Sequence, residues 1–129
     1  MKKLFVSVPM RGRTEEAIKT SITKMKAIAE VYEGEELELI DSYMPGSAPE
    51  NVNRRIWHLG RSIELMAEAD VFIGCGNAYE RYPGCDIEFD VARYYQVKYY
   101  RVDIVDVCPD TVGLANIGTT APGELNDAM

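Results

Sequence analysis

The chain opens on an apolar, β-branched run from Lys3 to Val8, ended by Pro9, and this predicts a first strand. Met10-Arg11-Gly12-Arg13 reads as a loop. Thr14 can cap a helix that carries Glu15 and Glu16 in its first turn. Ile18, Ile22, Met25, Ala29 and Tyr32 then recur at helical spacing until Gly34 ends the helix. Leu37 to Ile40 predicts a short second strand, and Asp41 to Pro49 is polar and turn-rich around Pro45-Gly46. A second helix is expected from about Glu50, with Val52, Ile56, Leu59, Ile63 and Met66 as its buried face. Asp70 to Cys75 reads as a third strand. Gly76 to Gly84 reads as a loop carrying Asn77, Tyr79, Glu80, Arg81 and Tyr82. A third helix is expected from about Cys85 to Gln96, and Val97 to Val105 alternates as a fourth strand.

Strands alternating with helices predict an α/β fold. The architecture expected is a flavodoxin- or Rossmann-like three-layer sandwich with a mostly parallel sheet and right-handed crossovers. One domain is expected over residues 1–105, and 129 residues are enough to bury a core without staples. From Asp106 the chain carries Pro109, Gly113, Gly118, Pro122 and Gly123 with little periodicity, so residues 106–129 read as an irregular tail.

Charge and cysteine usage narrow the classes. A net charge of −7 argues against a general nucleic-acid surface, though it leaves room for a local basic pocket. Three cysteines, Cys75, Cys85 and Cys108, share no metal-ligand spacing and read as structural thiols of a reducing compartment. Leu4-Phe5-Val6 is too short for a signal-peptide core, and no apolar run approaches the roughly 18 residues of a membrane span. A cytoplasmic protein with no membrane partner is the expectation.

The candidate chemistry gathers past the third strand, in Pro83-Gly84-Cys85-Asp86-Ile87-Glu88-Phe89-Asp90-Val91-Ala92-Arg93. The pattern places Glu88 in the first turn of a helix, just beyond a strand's C-terminal end. Ligands of open α/β sheets bind in that crevice. A carboxylate on a rigid element there suits a nucleophile or general base. The same position also suits a carboxylate that complements the helix dipole. Asp86 and Asp90 lie four apart and share a helix face that Glu88 does not, so they read as a separate acidic patch. In the loop Pro9-Met10-Arg11-Gly12-Arg13, the helix N-terminus, the glycine and two arginines together can receive a phosphate. The glycines of a P-loop or dinucleotide fingerprint are missing, and two solvated arginines would give the same sequence. Asp70 reads as a strand-start residue and His58 as a rim residue. Tyr79 and Tyr82 are the aromatic residues placed for ligand contact, whereas Trp57, Tyr94, Tyr95, Tyr99 and Tyr100 read as core or subunit interface.

Taken together, Phe5 to Gly12, Ala69-Asp70-Val71-Phe72-Ile73 and Gly84 to Ala92 resemble the nucleoside 2-deoxyribosyltransferase superfamily, which includes the 2′-deoxynucleoside 5′-monophosphate N-hydrolases. The likeness runs from Lys2 to Val102, and its most specific part is the G-x-x-x-E-x-x-x-A helix start. The resemblance implies that Glu88 is the nucleophile cleaving or transferring an N-glycosidic bond. It implies a pocket formed by Phe5, Ser7, Pro9, Met10, Arg11 and Gly12, by Ser62 and Asp70, and by Asn77, Tyr82 and Gly84. It implies a small-molecule nucleoside or nucleotide as partner, no cofactor or metal, and a homo-oligomer, dimer or larger. Two positions depart from the pattern. Phe5 stands where members often carry a tyrosine that touches the nucleophile, and Ser62 stands where many carry an aspartate near the base. Tyr82 occupies the place of a phosphate-contacting serine of the N-hydrolases, while Arg11 matches their loop arginine. The departures keep a second expectation open, a non-catalytic nucleotide-binding protein of the same fold that senses or sequesters its ligand.

Overall fold

A computed structural model describes residues 1–42, 47–76 and 82–111. In chain order the elements are β1 (Lys3–Ser7), α1 (Glu15–Glu33), β2 (Glu38–Leu39), α2 (Arg54–Met66), β3 (Val71–Cys75), α3 (Pro83–Tyr94), β4 (Lys98–Val102) and α4 (Ile104–Val107). The sheet runs β2-β1-β3-β4, and every pairing is parallel. Strand order therefore reverses between β1 and β3, and the crevice above their C-terminal ends is the switch point where such sheets take ligands. The fold is the flavodoxin- or Rossmann-like three-layer arrangement expected from the alternating pattern.

The alternation within β1 divides the core in two. Leu4, Val6 and Val8 pack with Ile18, Ile22, Met25 and Ala29 of α1 and with Ile104 and Val107 of α4. Phe5 points the other way, into a smaller cluster with Met66, Phe72, Phe89 and Ala92 beneath α2 and α3. Its ring stacks on Phe72 with centroids 5.9 Å apart. Thr14 caps α1 by accepting from the Ala17 N–H, and Gly34 closes it in the left-handed conformation at φ 72°.

Four boundaries differ from the sequence expectation, each for a local reason. Asn53 accepts from the Ile56 N–H, so α2 starts at Arg54 and not near Glu50. Consequently Val52 and Ile56 stay 44% and 66% exposed, and the face α2 buries is Ser62 and Met66. Pro83 begins α3 two residues before the expected Cys85, because proline's fixed φ and missing N–H suit a first helical position. Asp103 accepts from the Val105 N–H, ending β4 at Val102 and opening α4. The expected irregular tail from Asp106 is packed as far as Thr111, with Val107, Cys108 and Thr111 all buried. Among the described residues no helix is long and apolar enough to cross a membrane.

Candidate active site

Because α3 starts at Pro83, Glu88 is its sixth residue, in the second turn and not the first. There it is too far in to complement the orphan N–H groups of the helix start, so the dipole reading loses its basis. The acid in the first turn is Asp86, which is exposed, while Asp90 pairs with Arg93 at 3.4 Å. Glu88 instead turns inward and keeps 2% exposure. Ser7, the last residue of β1, donates its hydroxyl to Glu88 Oε1 at 2.6 Å. Ser62 of α2 provides a second side-chain hydrogen bond to the carboxylate. Burial penalises the charged form and outweighs both hydroxyls, so the Glu88 pKa rises to about 7.

Cys85, one turn before Glu88, is buried and also hydrogen-bonded to Ser7. Burial first, and the Glu88 charge second, hold its thiol well above the usual thiol range. Beside Ser7 in register lies Gly74 of β3. A Cβ on Gly74 would come within 2.8 Å of the Phe72 ring on its own strand and 3.2 Å of Phe89 on α3, so a larger residue there would displace both rings. One turn N-terminal of Ser62 and Glu88, a groove of about 220 Å³ opens between the two helices, lined by Asn53, Arg55, Ile56, Leu59, Gly84 and Ile87.

The β1–α1 loop lies beside the start of α3, and its two arginines have different fates. The Arg13 side chain is 2% exposed. It meets Asp110 through Nε at 2.8 Å and Nη2 at 2.9 Å, the Pro9 carbonyl at 2.8 Å, and Ser21 Oγ at 2.7 Å. Arg13 is therefore consumed in clamping the loop to the chain past α4 and has no donor left to present to a phosphate. Arg11 stays half-buried at the rim, and its carbonyl accepts from the Tyr82 hydroxyl at 3.4 Å. That bond ties the loop to the start of α3. Gly12 sits at φ 74°, in the region that glycine tolerates, and a Cβ there would meet nothing.

The structure thus gathers Ser7, Ser62 and Gly84 around Glu88, with Phe5 two residues down the same face of β1 and with Arg11, Gly12 and Tyr82 beside the loop. Tyr82 itself is 5% exposed and belongs to the larger core cluster, so its ring is structural. Pro9 is buried, and Met10 packs half-buried against the same cluster. Asp70 is not at the site. It lies at the opposite end of the sheet, where Oδ2 accepts from the Lys3 N–H at 2.8 Å and its own N–H donates to the Lys3 carbonyl at 2.9 Å. This is the strand-start role that its position suggested. Asn77 and Tyr79 lie outside the described residues. His58 sits half-buried on α2, edge-on to Trp57.

Two features escaped the sequence reading. The Arg13–Asp110 clamp joins residues 97 positions apart, and no local pattern announces it. The convergence of Ser7, Cys85 and Ser62 on Glu88 had one available signal. Ser7 is the polar residue in the run from Leu4 to Val8, at the strand's C-terminal end, which marks an inward polar group in need of a partner. Comparison with protein-family models, with curated proteins and with solved structures finds no match for this chain.

Proposed function

We propose that this protein cleaves or transfers the N-glycosidic bond of a 2′-deoxynucleoside or its 5′-monophosphate, with Glu88 as nucleophile. The observation that carries the reading is a dry carboxylate at the sheet's switch point, held by hydroxyls and ionising near neutrality. In the first step a Glu88 oxygen bonds to C1′ while the bond from C1′ to the base breaks, and its electron pair leaves with the base. In the second step another base or water attacks C1′ and frees the carboxylate, as in retaining glycosidases. Only the ionised form can attack, so turnover should rise with pH through about 7. The 5′ end falls to Arg11 and Gly12. With Arg13 committed to Asp110, the case for a phosphate rests on a single arginine. Ile87 and Tyr94 on α3 and Tyr95 just past its end, all exposed, support a homo-oligomer.

A second reading, binding without cleavage, is favoured by Phe5 and Ser62. Phe5 is stacked in the core, and Ser62 offers Glu88 a hydroxyl and the leaving base no acid. Incubation with deoxynucleosides and their 5′-monophosphates, with and without an acceptor base, separates the readings by chromatography. Free or exchanged base that disappears in Glu88→Ala supports the enzyme. Saturable binding with intact nucleotide supports the sensor and overturns the reaction.

A further inference from the structure

We propose that Ser7 and Ser62 are positioning residues for the Glu88 carboxylate. The assignment follows from proton counting. Ser7 has a single hydroxyl proton and gives it to Glu88 Oε1 at 2.6 Å. Cys85, one turn before Glu88, lies buried beside this pair with its thiol held protonated by burial. Ser62 reaches the carboxylate from α2, a different layer of the fold. Two donors from two elements fix the carboxylate's orientation as well as its charge. Among the described residues, Ser7 from β1, Ser62 from α2 and Cys85 from α3 interact with Glu88. Among the described residues no lysine, arginine or histidine takes part in setting its ionisation.

The kinetic meaning of these two contacts rests on Glu88 being the nucleophile, but their existence can be tested without turnover. The full-length protein labelled at glutamate carboxyl carbons would be titrated by NMR, with the Glu88 resonance assigned by its loss in Glu88→Gln. Ser7→Ala is expected to move the Glu88 midpoint upward by about one pH unit, the effect of removing one hydrogen bond to a charged group. Ser62→Ala should move it the same way, and alanine at a helix position keeps α2 folded. Ser7→Thr should restore the wild-type midpoint. With substrate, the serine variants should lower kcat about tenfold near pH 6 with KM little changed. An unchanged midpoint in folded Ser7→Ala and Ser62→Ala overturns the proposal. A shifted midpoint in a protein that turns over nothing overturns the reaction and leaves the positioning intact.

Discussion

Glu33 and Glu88 sit at opposite ends of the same sheet, Glu33 half-buried and Glu88 buried with 2% exposure. Their environments differ in charge. Glu33 ends α1 and meets Lys98 Nζ at 2.7 Å, Lys2 Nζ at 3.2 Å and the Tyr100 hydroxyl. Those partners, Lys98 first, pull its pKa down to about 2. Glu88 has hydroxyls and a thiol in place of cations, and its pKa rises to about 7. The same side chain is thus locked as a permanent anion at one end and poised between two protonation states at the other. Surrounding cations make a carboxylate a fastener, whereas neutral donors in a dry pocket keep it available for chemistry.

The largest test of this contrast is Glu88→Gln against Glu33→Gln. The first should lower base release by at least about a thousandfold, as loss of a nucleophile does, and the second should leave it nearly unchanged. Equal losses in the two variants would erase the distinction. The loop arginines repeat the contrast on a smaller scale. Arg13→Ala strips a buried guanidinium from Asp110, Ser21 and the Pro9 carbonyl and should cost about 2–4 kcal/mol in urea unfolding.

The two glutamates should also give opposite pH dependences of stability. Glu88 has a folded pKa above its unfolded value of 4.5, so its contribution is complete below 4.5 and lost as pH rises through about 7. Between pH 4.5 and 8 the wild type should lose on the order of 3 kcal/mol that Glu88→Gln retains. Glu33 has a folded pKa below 4.5, so its contribution is present above 4.5 and lost as pH falls through about 2, a loss absent in Glu33→Gln. Unfolding curves for both variants across pH 2 to 8 would reveal the crossed slopes, and parallel slopes would refute them. The smallest effect belongs to Arg11→Ala. It should raise KM for a 5′-monophosphate about tenfold, the scale of one charge-assisted contact, and leave the unphosphorylated nucleoside unaffected.

The fold was legible because its signals are local. The apolar runs at Leu4 and Val71 and the helical spacing from Ile18 to Ala29 became the strands and helix they predict. Glu88 was legible as a residue, yet its turn within the helix was misplaced because Pro83 reads equally as a loop residue and as a helix start. Asp70 was legible from its position as a strand-start residue, whereas the resemblance put it in the pocket, and the direction of β3 places it at the far end of the sheet. The buried face of α2 held at its C-terminal half, where Met66 is buried and Ile63 packs on the core, and failed at its start, where apolar Ile56 stays outside while polar Ser62 turns inward to the carboxylate. Arg13 and Arg11 are two residues apart and alike in the sequence, and only the arrival of Asp110 separates them.

The distance along the chain between partners has a consequence for how the protein matures. Ser7 and Glu88 are 81 residues apart, and Arg13 and Asp110 are 97 apart. Contacts of such separation close late in folding, after the local helices have formed. A growing chain cannot clamp the β1–α1 loop until residue 110 has emerged and folded back. Under the proposed reaction, a chain that has not yet brought Ser7 and Ser62 to Glu88 would be inert. Activity recovered during refolding should lag behind helix formation and keep pace with the docking of residues 104–111.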